Sequence, residues 1–358
     1  RQCNINVPLS ERVERFWKWF AENEEKISGM VRPRTQEEAD EVMALVHEGT
    51  SLISDNVNYN LGGDCEFSFS AEGWPDMFII YPYIISCMPE ELKSKWKFNP
   101  FNGGTDQAFG FSMFGADMDT ARVMVRAVFN EDAGRFRISF YEPNLCALSP
   151  DECRHAMWIM LENTVGEGVS FKYIDGIDQA AECEDGMIPL PELKQHIRET
   201  LEAHELKFFE NPVDVYTSYK LNQQDTTELR YDVVVGSTRL DAIIADYYHD
   251  STDIFDHINS FGAQAVFIAF ANPEGMDGNS ILNLRHDIED KITEEILDPL
   301  ELGLVIGGAT GTDVSYIDLI VYDYNTFEHA ITFLQKQFPE CRFFLSDFRR
   351  HASHTPLL

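Results

Sequence analysis

The chain has 358 residues, 44% of them hydrophobic and 12% aromatic, with phenylalanine present in 26 copies. That is enough apolar material for two domains of ordinary size, each with its own core. Acidic residues number 61 against 28 basic ones, a net charge of −33, which would repel a phosphate backbone and argues against direct nucleic-acid binding. No run of about 18 apolar residues occurs, so no membrane-spanning helix is expected.

In chain order, Val13, Phe16, Trp17, Phe20 and Ile27 recur at helical spacing and predict a helix over 10–29, with Ser10 as cap and Gly29 as stop. The aromatic cluster FWKWF within it reads as core. A capping box at Thr35 and Glu38 opens a second helix running to Gly49. Alternating strands at 56–61 and 65–71 flank Gly62-Gly63 as a hairpin. The segment 75–95 reads as helix, 96–101 and 107–114 as short strands. Residues 121–129 and 135–141 read as a strand pair joined at Asp132-Ala133-Gly134. A helix is expected over 149–163, started by Ser149 and Pro150, then a strand at 169–177, and an amphipathic helix ending near His204.

In the second half, ELRYDVVVG and TRLDAIIADYY read as a hairpin turning at Gly236-Ser237. A helix follows at 251–261, then a buried strand at 263–271. Ser280 is expected to cap a helix with Ile281, Leu284, Ile288, Ile292 and Ile296 inward. Two strands flank the glycine-rich GGATG at 307–311. A helix capped at Asn325 and a closing strand at 341–348 complete the pattern. From 263 the order is β-α-β-β-α-β, the ferredoxin-like unit. The expected fold class is α+β in two domains with antiparallel or mixed sheets and packed helices. The first spans 1–206 with a leading helical pair, and the second, ferredoxin-like, spans 207–358.

The string LGLVIGGATGTDVSY (302–316) has the letters of a dinucleotide loop, but a phosphate-binding turn must run into a helix, whose N–H groups and dipole meet the anion. Here it runs into the β-branched, strand-like Val314 to Ile320. The third glycine of G-x-G-x-x-G is out of register, and only 47 residues come after Gly311, too few for a dinucleotide fold. No cofactor is expected. Gly307, Gly308 and Gly311 read as positive-φ residues joining two antiparallel strands.

A divalent ion would use His249, Asp253, Asp256 and His257, at i, i+4 spacing if 249–257 were one helix. Ser251 and Thr252 look like helix caps that separate His249 from the rest, so no metal is expected. The helix at 280–297 sets His286, Asp287, Asp290 and Glu294 opposite its isoleucine stripe, a solvated face that could also dock a basic partner. No Walker A loop, nucleophile elbow or zinc knuckle occurs, and no catalytic residues are assigned. The seven cysteines, from Cys3 to Cys341, contain no CxxC pair and read as reduced thiols of a cytoplasmic protein. The sequence opens on Arg1 rather than Met, leaving room for residues ahead of it, and the N-terminal segment beginning at Arg1 holds no apolar signal core.

The strings FWKWFAENEEKI (16–27), LENTVGEG (161–168) and NPEGMDGNSILNLRHDIEDKI with GGATGTDVSYIDLIVYD resemble uncharacterised bacterial proteins of α+β build. Some of these are near the ribonuclease-E-inhibitor-B type of ferredoxin-like domain. The resemblance implies a regulatory or inhibitory binding domain and transfers no catalytic residue; Gly166 and Glu167 match it best. The expected function is therefore non-enzymatic protein binding, an acidic inhibitor or immunity-like protein for a basic partner. The alternatives are a metal-assisted hydrolase using the acids and histidines of 246–257, and a structural or assembly module.

Overall fold

The helical stripe of the first residues becomes α1 (Leu9–Met30), which buries Val13, Phe16, Trp17, Phe20 and Ile27, in a computed structural model describing residues 6–222 and 227–357. In α2 (Gln36–Thr50) the Thr35 hydroxyl accepts from the Glu38 amide. The hairpin β1 (Asn58–Gly62) and β2 (Glu66–Ser70) forms as expected. After α3 (Met77–Ser86) and α4 (Glu90–Lys93), β3 (Lys97–Asn99) joins β2 in parallel. A ribbon of β4 (Gly110–Met113) and β5 (Ala116–Asp119) precedes the antiparallel pair β6 (Met124–Asn130) and β7 (Arg135–Tyr141). A capping box between Ser149 and Glu152 opens α5 (Pro150–Val165). Then come α6 (Glu167–Tyr173), β8 (Ile174–Gln179), β9 (Ile188–Pro189) and α7 (Leu193–Ala203). The resulting four-stranded sheet has the order β8-β7-β6-β9.

The remaining elements are β10 (Thr217–Lys220), β11 (Val233–Thr238), α8 (Asp241–His249), α9 (Asp253–Ser260), β12 (Gln264–Ala271) and α10 (Gly278–Ile292). They continue with α11 (Asp298–Leu300), β13 (Gly303–Gly311), β14 (Val314–Val321), α12 (Tyr324–Ala330), α13 (Leu334–Gln337), β15 (Phe343–Asp347) and β16 (His354–Pro356). Seven of these strands form one sheet in the order β10-β11-β13-β14-β12-β15-β16, antiparallel throughout. The chain is thus mixed α+β with several sheets.

Alternation along β14 distributes the core. Ile317, Leu319 and Val321 face α10 and α12, whose Ile288, Ile292 and Phe327 complete one cluster. Tyr316 and Ile320 face the opposite side and join a second cluster with α9, α1, α3 and the β1–β3 sheet. Both faces of the large sheet are therefore covered, which is why β12 is a continuous apolar run rather than an alternating one. A third cluster, between Met118 and Leu201, belongs to the four-stranded sheet with α5 and α7.

Four local expectations are corrected. Residues 241–249 form α8, not the second arm of a hairpin; β11 runs straight through Gly236-Ser237 and pairs with β10 and β13. Most of the strand expected at 169–177 is helix, and only its end enters β8. The cap of α10 is Asp277, whose carboxylate accepts from the Asn279 and Ser280 amides at 3.0 and 3.1 Å, and α12 is capped by Asp323. Finally, Gly307, Gly308 and Gly311 lie inside β13, and none has a positive φ.

These glycines serve close approach instead. A methyl group at Gly307 would run into the Ser237 carbonyl oxygen of β11, and one at Gly311 into the Asp232 carboxylate. Because the obstacle at Gly307 is backbone in a paired strand, Gly307→Ala is expected to destabilise by about 2–3 kcal/mol. Urea denaturation checks this, and Gly29→Ala, where a Cβ meets nothing within 4 Å, is the control.

Candidate functional site

The four side chains weighed as metal ligands are not gathered. His249 ends α8 and is exposed, while Asp253 and Asp256 sit on the exposed face of α9. Asp256 pairs with Arg349 at 2.8 Å. His257 is buried, its Nδ1 2.7 Å from Asp76 Oδ2 and its ring stacked on Trp74 at 3.9 Å. Among the described residues no group of three or more His, Cys, Asp or Glu side chains is placed to hold a metal. His286, Asp287, Asp290 and Glu294 are all exposed on α10 and the turn that continues it. Six cysteines are free thiols, and Cys3 lies outside the described residues. No helix among the described residues is long and apolar enough to cross a membrane.

A different constellation does converge. A cleft of about 480 Å³ opens between the start of α3, the α5–α6 corner, the strand end at Arg135 and the start of α8. Its walls carry Phe78, Trp158 and Phe171, and three cations, Arg135, Lys172 and Arg239. Arg135, first in β7, is steered by donating from Nη2 to the Phe171 and Ile174 carbonyls at 3.0 and 2.7 Å. Arg239 comes directly after β11, its amide bonded to the Ile306 carbonyl at 2.7 Å and its guanidinium 5.0 Å from the Tyr216 ring. Lys172 lies near the end of α6, its Nζ 5.5 Å from the Tyr173 ring. Among the described residues none of the three has a carboxylate within ion-pairing distance. Arg135 and Arg239 each leave Nε buried without a hydrogen-bond partner.

Three carboxylates share the cleft, Glu162, Glu167 and Asp241. Glu167 is buried and fully engaged: it accepts from the Ser70 hydroxyl at 2.6 Å, the Ala71 amide at 3.1 Å and the Asn102 amide at 2.9 Å. Burial, reinforced by the charges of Glu167 and Glu72, pushes Glu162 up to about 7. Burial also raises Asp241, against the opposing charge of Lys172. Lys172 is lowered, chiefly by burial, with Asp241 opposing and Arg135 assisting. Near neutral pH Glu162 is therefore partly protonated, which reduces the negative charge in the cleft.

Two other hollows lack this combination. The one beside β16, about 610 Å³, has its arginines already tied, Arg349 to Asp256 at 2.8 Å and Arg350 to Glu228 at 3.1 Å. The one along α1 is a shallow apolar groove with Glu14, Glu22, Glu91 and Glu301 at its edge.

Because Glu162 is raised in the folded state, the native protein holds a proton that the unfolded chain releases at lower pH. Its contribution to stability is complete below about 4.5 and is lost as pH rises through about 7. Glu162→Gln is thus expected to flatten the pH dependence of stability in that window and to raise stability at pH 8 by about 1–2 kcal/mol, after allowance for solvent screening. Thermal melts across pH 4.5–8, a range set by the ordinary and raised values of Glu162, check it.

Sequence patterns alone assign no role to Arg135, Glu162, Lys172, Arg239 or Asp241. The one available signal is LENTVGEG, which contains Glu162 and Glu167. Compared with protein-family models, curated proteins and solved structures, the chain matches none.

Proposed function

We propose that the protein is a binding protein whose ligand is a small organic anion with an aromatic or apolar body, held in the cleft of Arg135, Lys172 and Arg239. The supporting observation is that three cations without ion-pair partners meet at one aromatic-walled hollow in a chain of net charge −33. A ligand carboxylate or phosphate there would accept from the guanidinium groups of the two arginines that line the hollow, and Phe171, 42% exposed, offers the apolar contact. Calorimetric titration with phenylphosphate tests this. Saturable one-to-one binding is expected, weakened about tenfold or more in Arg239→Met. Absence of saturable heat, or equal affinity in wild type and variant, overturns it.

A second reading is favoured by the exposed acidic face of α10. His286, Asp287, Asp290 and Glu294 would dock a basic protein, as in an inhibitor or immunity-like role. Salt-dependent retention of a basic partner, abolished by Asp287→Lys with Asp290→Lys, is its test. We also take β12, α10, β13, β14, α12 and β15 as a ferredoxin-like unit, on the strand order β13-β14-β12-β15 with both helices against one face. The metal-assisted hydrolase is not carried forward, because Asp256 and His257 are each engaged elsewhere.

A further inference from the structure

We propose that the groove along α1 is a docking site for a helical segment of another protein, one whose apolar stripe is flanked by lysines or arginines. It is separate from the anion cleft and does not depend on it. The groove, about 720 Å³, is lined by α1, by the end of α3 and by Leu300 and Glu301 at the end of α11. Val13, Trp17 and Ala21, each four residues from the next, give α1 one apolar wall about 12 Å long. Tyr83 and Cys87, also four apart, line it from α3 and its C-terminal cap. These walls are held in place: the Trp17 indole donates to the Ile84 carbonyl at 2.8 Å, and the Tyr83 ring stacks on Tyr322 at 3.7 Å. Leu300, 52% exposed, leaves a large apolar side chain half in water. A preformed apolar groove between helices is the form in which one protein receives a helix of another.

The charge around the groove selects the occupant. Four of the lining residues are exposed glutamates, Glu14, Glu22, Glu91 and Glu301, against one cation, Lys18. None of the four has a cation within ion-pairing distance among the described residues. Lys18 stands one turn from both Glu14 and Glu22 and can neutralise at most one of them. Such a rim repels a surface of anionic lipid. A second copy of this chain, seated through a two-fold axis, would bring four glutamates against four. A helix with cations beside its apolar stripe gains at both places, because its apolar residues leave water for the walls while its cations face the carboxylates. A wall of about 12 Å is a little over two helical turns, so the occupant presents apolar residues at i, i+3, i+4 and i+7.

The probe is a fluorescein-labelled peptide of about 14 residues, leucine at i, i+3, i+4 and i+7 and lysine elsewhere; its shuffled counterpart keeps the charge and loses the stripe. Fluorescence anisotropy is expected to show saturable one-to-one binding, about tenfold or more tighter than that of the shuffled peptide, and weakened about tenfold in Leu300→Asp and in Glu14→Lys with Glu22→Lys. Asp287→Lys with Asp290→Lys, which alters the acidic face of α10 instead, should change the affinity by no more than about twofold. Cys87 supplies a readout inside the groove. Peptide at about ten times its Kd should slow alkylation of Cys87 by N-ethylmaleimide about tenfold, while the exposed Cys146 and Cys183 react as before. Equal binding of the two peptides, loss of affinity in the α10 variant rather than in the groove variants, or an unprotected Cys87 overturns the proposal. So does a protein that is dimeric by light scattering and monomeric as Leu300→Asp, because a second copy would then cover the groove.

Discussion

Asp318→Ala is expected to destabilise the protein by about 3–5 kcal/mol. Asp318 and Arg230 are both 0% exposed and form a bidentate pair, Nη1 to Oδ1 at 2.6 Å and Nη2 to Oδ2 at 3.1 Å. Burial alone would pull the guanidinium down, and Asp318, together with the Tyr219 and Tyr248 oxygens, more than reverses it, so Arg230 stays charged. The guanidinium also donates to the Tyr219 hydroxyl at 3.1 Å and lies 4.6 Å from the Phe348 ring and 5.0 Å from the Tyr316 ring. Removing the carboxylate leaves a cation buried in an aromatic box with a single hydroxyl partner. The backbone there has a second anchor, since the Arg230 amide donates to the Tyr316 hydroxyl and its carbonyl accepts from Tyr248. Arg230 takes a φ of 68°, a left-handed conformation that such anchoring sustains. The control is the double replacement Arg230→Met with Asp318→Leu, which removes both charges at similar volume and is expected to be far milder than Asp318→Ala. Guanidinium denaturation of the three proteins decides it: a loss below about 1 kcal/mol in Asp318→Ala would show that the cation finds water or another partner.

Glu167→Ala is expected to cost about 3 kcal/mol or more and to weaken phenylphosphate binding as well. The carboxylate collects donors from the end of β2 and from Asn102 onto the first residue of α6, while the Glu167 amide donates to the Asn102 carbonyl at 2.9 Å. It thereby fastens the four-stranded layer to the layer built on α1 and α3, at the wall of the cleft. Alanine would leave the buried Ala71 amide and the part-buried Asn102 amide without an acceptor, whereas Gln keeps one acceptor oxygen and should lose less. Gly166 beside it has a φ of 93°, and a methyl there would meet the Gly103 carbonyl at 2.8 Å, so the joint tolerates no bulk. Urea denaturation and phenylphosphate titration of both Glu167 variants give the measurement. Unchanged affinity in a folded Glu167→Ala protein would show that the cleft does not depend on this joint.

Much of the secondary structure is legible because its causes are local. The stripe in α1, the Ser149 cap of α5 and the double-sided apolar run of β12 each declare themselves within a few residues. Expectation and structure part where the local signal is ambiguous. DAIIADYYH has β-branched and aromatic residues that suit a strand, yet as α8 it buries Ile243, Ile244 and Tyr247 against the sheet. GGATG reads as a turn because glycine permits one, but in β13 glycine is needed for the absence of a side chain.

By itself the sequence determined the α+β class, the helical and strand periods, the acidic balance and the failure of a dinucleotide loop at 307–311. All of these derive from neighbours in the chain or from composition. Only the tertiary structure decided the order of the seven strands, the burial of Arg230 against Asp318 and the meeting of Arg135, Lys172 and Arg239. Those side chains come from segments far apart in sequence. That none of the three has a carboxylate within ion-pairing distance is a property of the folded chain alone.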